Sequence, residues 1–161
     1  EWFEFSSYAD FEILSTEPIF VGEFLHGLHT PEGDSPPPDD PMNGDPTFIM
    51  AVPIEQYRND YIFLVPGEYA RNFVTIVVPT GVAIQHEDEV LEETLPADSF
   101  TPFGSGEYAS LRYELVNEGY HRMTTGEGGE PFSVTVYGFD DDVSYGYPAG
   151  LDVKQINSRD E

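Results

Sequence analysis

Three consecutive aspartates, Asp140, Asp141 and Asp142, follow an alternating apolar stretch and precede Ser144. Clustered carboxylates with backbone carbonyls nearby are the donor chemistry of Ca²⁺, a hard cation that takes oxygen ligands. Adjacent aspartates cannot all aim at one ion, and no Asp-x-Asp-x-Asp-Gly loop accompanies them. A solvated acidic loop therefore accounts for the same residues. A second acidic stretch carries Asp34, Asp39, Asp40, Asn43 and Asp45 among prolines. Such a loop can order around a cation, but turn chemistry at Asn43-Gly44 and Asp45-Pro46 explains it equally. Asp140, Asp141, Asp142, Asp34, Asp39, Asp40 and Asp45 are the candidate metal ligands, and Ca²⁺ is the cofactor they suit.

The four histidines, His26, His29, His86 and His121, show no zinc-type spacing with carboxylates. In a strand, His26 and His29 would face opposite sides. His121, just after the turn at Glu118-Gly119, reads as a hydrogen-bonded strand residue. No catalytic residue is identified. There is no Gly-x-Ser-x-Gly elbow, no phosphate loop and no cysteine nucleophile, and Ser105 in Gly104-Ser-Gly106 reads as a loop tip. With 31 acidic residues, a carboxylate pair at glycosidase distance would arise by chance, so that signal carries no weight. The chain reads as non-enzymatic. Tyr145 and Tyr147, in a Gly/Pro-rich stretch read as a loop, are the candidate binding residues. Packing as a lid on a sheet edge is the simpler account of them.

The elements that would position these residues are short strands. Phe132, Val134 and Val136 alternate with Ser133, Thr135 and Tyr137, which marks a core strand over Phe132–Phe139. Tyr108–Leu115 alternates too, with Ala109, Leu111, Tyr113 and Leu115 on one face, and reads as half-exposed. Phe73–Val78 is apolar on both faces except at Thr75, which predicts a central strand covered on both sides. Further strands are expected at Trp2–Phe5, Phe11–Leu14, Ile19–Leu25, Thr47–Val52, Tyr61–Val65, Val82–His86, His121–Thr125 and Leu151–Ile156. Residues 53–60 and 66–69 have room for one helical turn each, and no segment carries a longer helical period. The expected fold is all-β: a two-sheet, mainly antiparallel β-sandwich with long acidic and proline-rich loops, in a single domain over residues 1–161. Residues 33–46 form a loop excursion, and residues 1–15 an extra edge strand or a link to a preceding segment.

Charge narrows the partners. Six basic residues, with Lys154 the one lysine, against 31 acidic ones leave a net charge of −25. No basic stripe exists to neutralise phosphates, which argues strongly against a nucleic-acid partner and against docking on anionic lipid. The acidity fits a high-salt habitat, cation-binding loops, or both. The chain has no cysteine and no apolar run of membrane-spanning length. It opens on Glu1 rather than Met, as a processed chain or a piece of a longer one would.

Several segments together carry a resemblance. They are Pro18-Ile-Phe-Val-Gly-Glu-Phe24, Gly44-Asp-Pro46, residues 52–66, Asn72-Phe-Val-Thr-Ile-Val-Val-Pro-Thr-Gly81, Gly119-Tyr-His121, Val136-Tyr-Gly-Phe139 and residues 144–152. In order and spacing these resemble the bacterial branch of the IgGFc-binding protein N-terminal domain family, from roughly Ile19 to Ile156. The resemblance implies an extracellular β-rich module, often embedded in a large secreted or surface protein. The family is named after a mucus protein that binds antibody Fc. The chain departs from the pattern after residues 82–85, where His86-Glu-Asp-Glu89 replaces an Asp-Gly hairpin, and the first fifteen residues lie outside it.

Two functions follow as expectations. One is an extracellular, non-catalytic adhesion or binding module of a larger secreted or cell-surface protein, with a protein or glycan ligand. The other is a structural subunit or repeat of an extracellular fibre or surface layer, joined to copies of itself by strand exchange or end-to-end contacts.

Overall fold

The computed structural model describes residues 2–7, 9–25 and 44–153. The strands are β1 (Gly22–Phe24), β2 (Phe48–Met50), β3 (Asp60–Val65), β4 (Arg71–Pro79), β5 (Gln85–His86), β6 (Glu89–Val90), β7 (Thr101–Phe103), β8 (Tyr108–Leu115), β9 (Gly119–Thr124), β10 (Ser133–Asp140) and β11 (Val143–Pro148). Helix among the described residues is confined to a 3-10 turn at Ile54–Gln56 and one α-turn, α1 (Leu91–Thr94). A five-stranded sheet runs β11-β10-β4-β8-β7, a four-stranded sheet β3-β9-β5-β6, and β1-β2 form a separate ribbon. Every pairing is antiparallel.

Strict alternation builds the sandwich. Asn72, Val74, Ile76 and Val78 of β4 point inward beside Leu111 and Leu115 of β8 and Val134 and Val136 of β10. Tyr61, Phe63 and Val65 of β3 and Met123 of β9 meet them from the opposite sheet. Burying each apolar side chain among them is worth about 1.5–3 kcal/mol, the term that opposes the self-repulsion of an acidic chain. Tyr61 pins the layers at one end: its hydroxyl donates to the Phe132 carbonyl at 2.6 Å and accepts from the Arg58 N–H at 3.0 Å.

The all-β sandwich and the interior positions of β4 and β10 agree with the sequence expectation. Five details differ. The outer face of β4 is half-covered: Phe73, Thr75 and Val77 are partly exposed, and Phe73 stacks on Tyr137 of the neighbouring strand at 5.5 Å. Residues 2–7 and 9–15 form no strand. They are anchored where Asp10 accepts from Ser110 Oγ and Arg112 at 2.6 Å each and Glu12 accepts from the Ser105 N–H at 3.2 Å. A side-chain anchor of this kind holds an arm without any ladder of backbone bonds, and it buries Ser110 on an otherwise polar face. Residues 66–69 make a turn rather than a helix, and residues 151–153 form no strand. Residues 144–148, read as a loop, are strand β11: Gly138 lies opposite Tyr145, and its missing side chain makes room for that ring. Of the 33–46 excursion only residues 44–46 fall within the described residues.

Candidate binding face and histidine cluster

Among the described residues, β3 is an edge strand, paired to β9 on one side only. The Thr125 N–H donates to the Asn59 carbonyl, which sets the ladder's parity: Tyr61, Phe63 and Val65 bond to β9, while Asp60, Ile62 and Leu64 turn their backbone groups to the open side. Tyr147 confirms this parity, since its hydroxyl donates to the outward Leu64 carbonyl. The side chains alternate as well, so Ile62 (67% exposed), Leu64 (47%) and, across the ladder from Leu64, Tyr120 (80%) form an apolar strip on the outer face. An open groove lined by Leu64, Pro66, Tyr120, Tyr147 and Ala149 runs beside that edge. Exposed apolar residues on an unpaired edge are the arrangement that takes up an added strand.

The candidate residues from the sequence are distributed differently. Tyr145 and Tyr147 are half-buried in β11 and pack on the core, with ring centres 6.1 Å apart. The Tyr145 hydroxyl donates to Asn72 Oδ1 at 2.8 Å, and burial pushes its pKa well above the ordinary tyrosine range. Burial likewise raises Tyr147. Tyr147 still lines the groove. Asp140, Asp141 and Asp142 form the tip of the β10–β11 hairpin, with Asp142 at φ 54° and the Asp141 N–H donating to Asp140 Oδ1 at 2.7 Å. Asp45 is exposed, and Asp34, Asp39 and Asp40 lie outside the described residues, as do His26 and His29.

Among the described residues, the group of potential metal ligands that converges is one the sequence did not suggest: His86, Glu87 and His121. Register brings it together, because β5 pairs with β9 and points His86 inward beside Met123 and His121. His121 is the hydrogen-bonded strand residue expected, contacting the Asn117 carbonyl at 2.9 Å. His86 Nε2 lies 3.0 Å from His121 Nδ1. Phe63 stacks on His121 and Tyr113 meets His86 edge-on. Desolvation, and then the neighbouring His121, lower the pKa of His86. Glu87 opens the two-residue turn of the β5–β6 hairpin at φ 53°, where glycine is usual, and its carboxylate accepts from the Arg122 N–H at 2.7 Å. Spacing missed the cluster because 35 residues separate the histidines. The absent glycine after His86 was the one local signal.

With this geometry in hand, the comparisons place the chain. It belongs to the IgGFc binding protein family, whose model matches residues 1–138. The match takes in the first fifteen residues, which the motif-based resemblance left out, and ends within β10. No curated protein and no solved structure shows a significant match. No helix among the described residues is long and apolar enough to cross a membrane.

Proposed function

We propose that the chain is an extracellular, non-catalytic protein-binding module of a larger secreted or cell-surface protein, and that it holds its ligand at the open edge of β3. Family membership supports a binding role. The observation that carries the site is the strip of Ile62, Leu64 and Tyr120 beside outward backbone groups. The ligand this chemistry recognises is an extended polypeptide with apolar residues at alternate positions. Basic or neutral flanks suit a chain of net charge −25. The family's description makes the Fc region of IgG the first protein to test.

Selection of displayed random peptides against the immobilised chain, with IgG Fc measured alongside, tests the reading. Enriched peptides are expected to alternate apolar and basic residues. The Ile62 N–H faces the open side, so Ile62→Pro removes no ladder bond yet blocks an added strand. Ile62→Pro and Tyr120→Ala should each weaken binding about tenfold or more, with the circular dichroism spectrum unchanged. Failure to enrich any peptide, or binding indifferent to both variants, overturns the proposal.

A second reading, a self-assembling extracellular building block, draws on a separate observation. Residues 2–7 and 9–20 form no strand, and Trp2, Phe3 and Leu14 are more than four-fifths exposed. Donor arm and acceptor edge are thus both present in one chain. Sedimentation equilibrium separates the readings: a monomer at high concentration excludes the building block.

A further inference from the structure

We propose that His86, Glu87 and His121 form a binding site for a single divalent transition ion of the Zn²⁺ class. One donor atom from each lies within 4.8 Å of the other two. The 3.0 Å between His86 Nε2 and His121 Nδ1 is close to the roughly 3.3 Å that two nitrogens take on tetrahedral zinc, so a small opening admits the ion. The Nε2–H of His121 donates to the Asn117 carbonyl, which fixes the tautomer and leaves Nδ1 as a lone pair. A backbone carbonyl behind a ligating histidine is the usual outer support of a metal site. His86 frees its Nε2 by taking the other neutral tautomer, with no net loss of a proton. Both rings are held by aromatic contacts, to Phe63 and to Tyr113. The Arg122 N–H holds Glu87 through one hydrogen bond, and a carboxylate has further lone pairs to offer. Half-buried His86 and exposed Glu87 give solvent access.

Two imidazoles and one carboxylate suit Zn²⁺, Co²⁺, Ni²⁺ or Cu²⁺, whereas Ca²⁺ and Mg²⁺ prefer all-oxygen shells. The fourth position of a tetrahedral ion is left to water. The competing account is a plain hydrogen bond between two histidines, and metal titration decides between them.

Chelator-stripped full chain, titrated calorimetrically with Zn²⁺ in excess Mg²⁺ to occupy surface carboxylates, is expected to bind one equivalent. Co²⁺ should produce visible absorption of a four-coordinate site, removed by Zn²⁺. Glu87→Gln keeps an acceptor for the Arg122 N–H and should weaken Zn²⁺ binding about tenfold or more. His86→Gln should abolish the Co²⁺ signal. Should His86→Gln fail to fold, Glu87→Gln, at an exposed turn, decides alone. Zn²⁺ binding that Mg²⁺ removes, or that survives Glu87→Gln at full affinity, overturns the site and leaves the histidine–histidine hydrogen bond.

Discussion

Two residues show how single side chains hold this sandwich. The Tyr61 hydroxyl bridges the Arg58 N–H and the Phe132 carbonyl, while its ring meets Phe132 edge-on at 5.0 Å. Tyr61→Phe keeps the ring and removes the bridge. The Arg58 N–H still reaches the Phe132 carbonyl at 3.3 Å, so the loss should be about 1 kcal/mol in urea denaturation. A loss near zero would show that the bridge contributes nothing net. Gly138 is the reverse case, a residue defined by what it lacks. A Cβ there would lie 2.4 Å from the Tyr145 ring and 2.9 Å from the Arg71 carbonyl. Gly138→Ala should cost about 1–3 kcal/mol and displace Tyr145 from Asn72, visible as altered near-ultraviolet circular dichroism. The glycine was plain in the sequence. Its reason was not, because the ring it accommodates arrives on another strand.

Among the elements, β8 and β10 were readable from alternation alone, since a strand with one face in a core must repeat every second residue. β11 was hidden: Ser144-Tyr-Gly-Tyr-Pro148 has the composition of a turn, and pairing with β10 overrides it. Across the outer face, Arg71 of β4 grips Glu114 of β8 through two bonds of 2.8 and 2.9 Å and lies 4.8 Å over the Phe73 ring. The guanidinium holds the Glu114 carboxyl below its ordinary 4.5. A depressed carboxylate stabilises the fold above its unfolded value, and that contribution disappears as pH falls through the lower, folded value. Both groups are exposed, so the pair is worth less than about 1 kcal/mol. Thermal melts from pH 7 down to acid should show wild type losing its advantage over Arg71→Gln below pH 4.5. A difference that stays constant through that range would remove the pair from the stability account.

At the scale of the whole molecule, charge dominates. Three arginines, Arg71, Arg112 and Arg122, are paired with Glu114, Asp10 and Asp60. That leaves a net −25 to repel itself across the surface. Raising NaCl from about 0.1 to 1 M shortens the screening length from about 10 to 3 Å, so the melting temperature should rise. An unchanged or lower value would mean that the acidic groups are already far enough apart not to interact.

The sequence by itself determined the class of the fold and the family, because alternation, turn residues and motif order are local properties that survive in one dimension. It also carried the argument against a nucleic-acid partner, because charge is a sum over composition. It did not reveal the outward strip at Ile62, Leu64 and Tyr120, because exposure depends on which neighbour a strand lacks. Nor did it reveal His86 beside His121. Only the pairing of β5 with β9 decides that two residues far apart in the chain share one inner face, and register is set by the packing of the whole sheet.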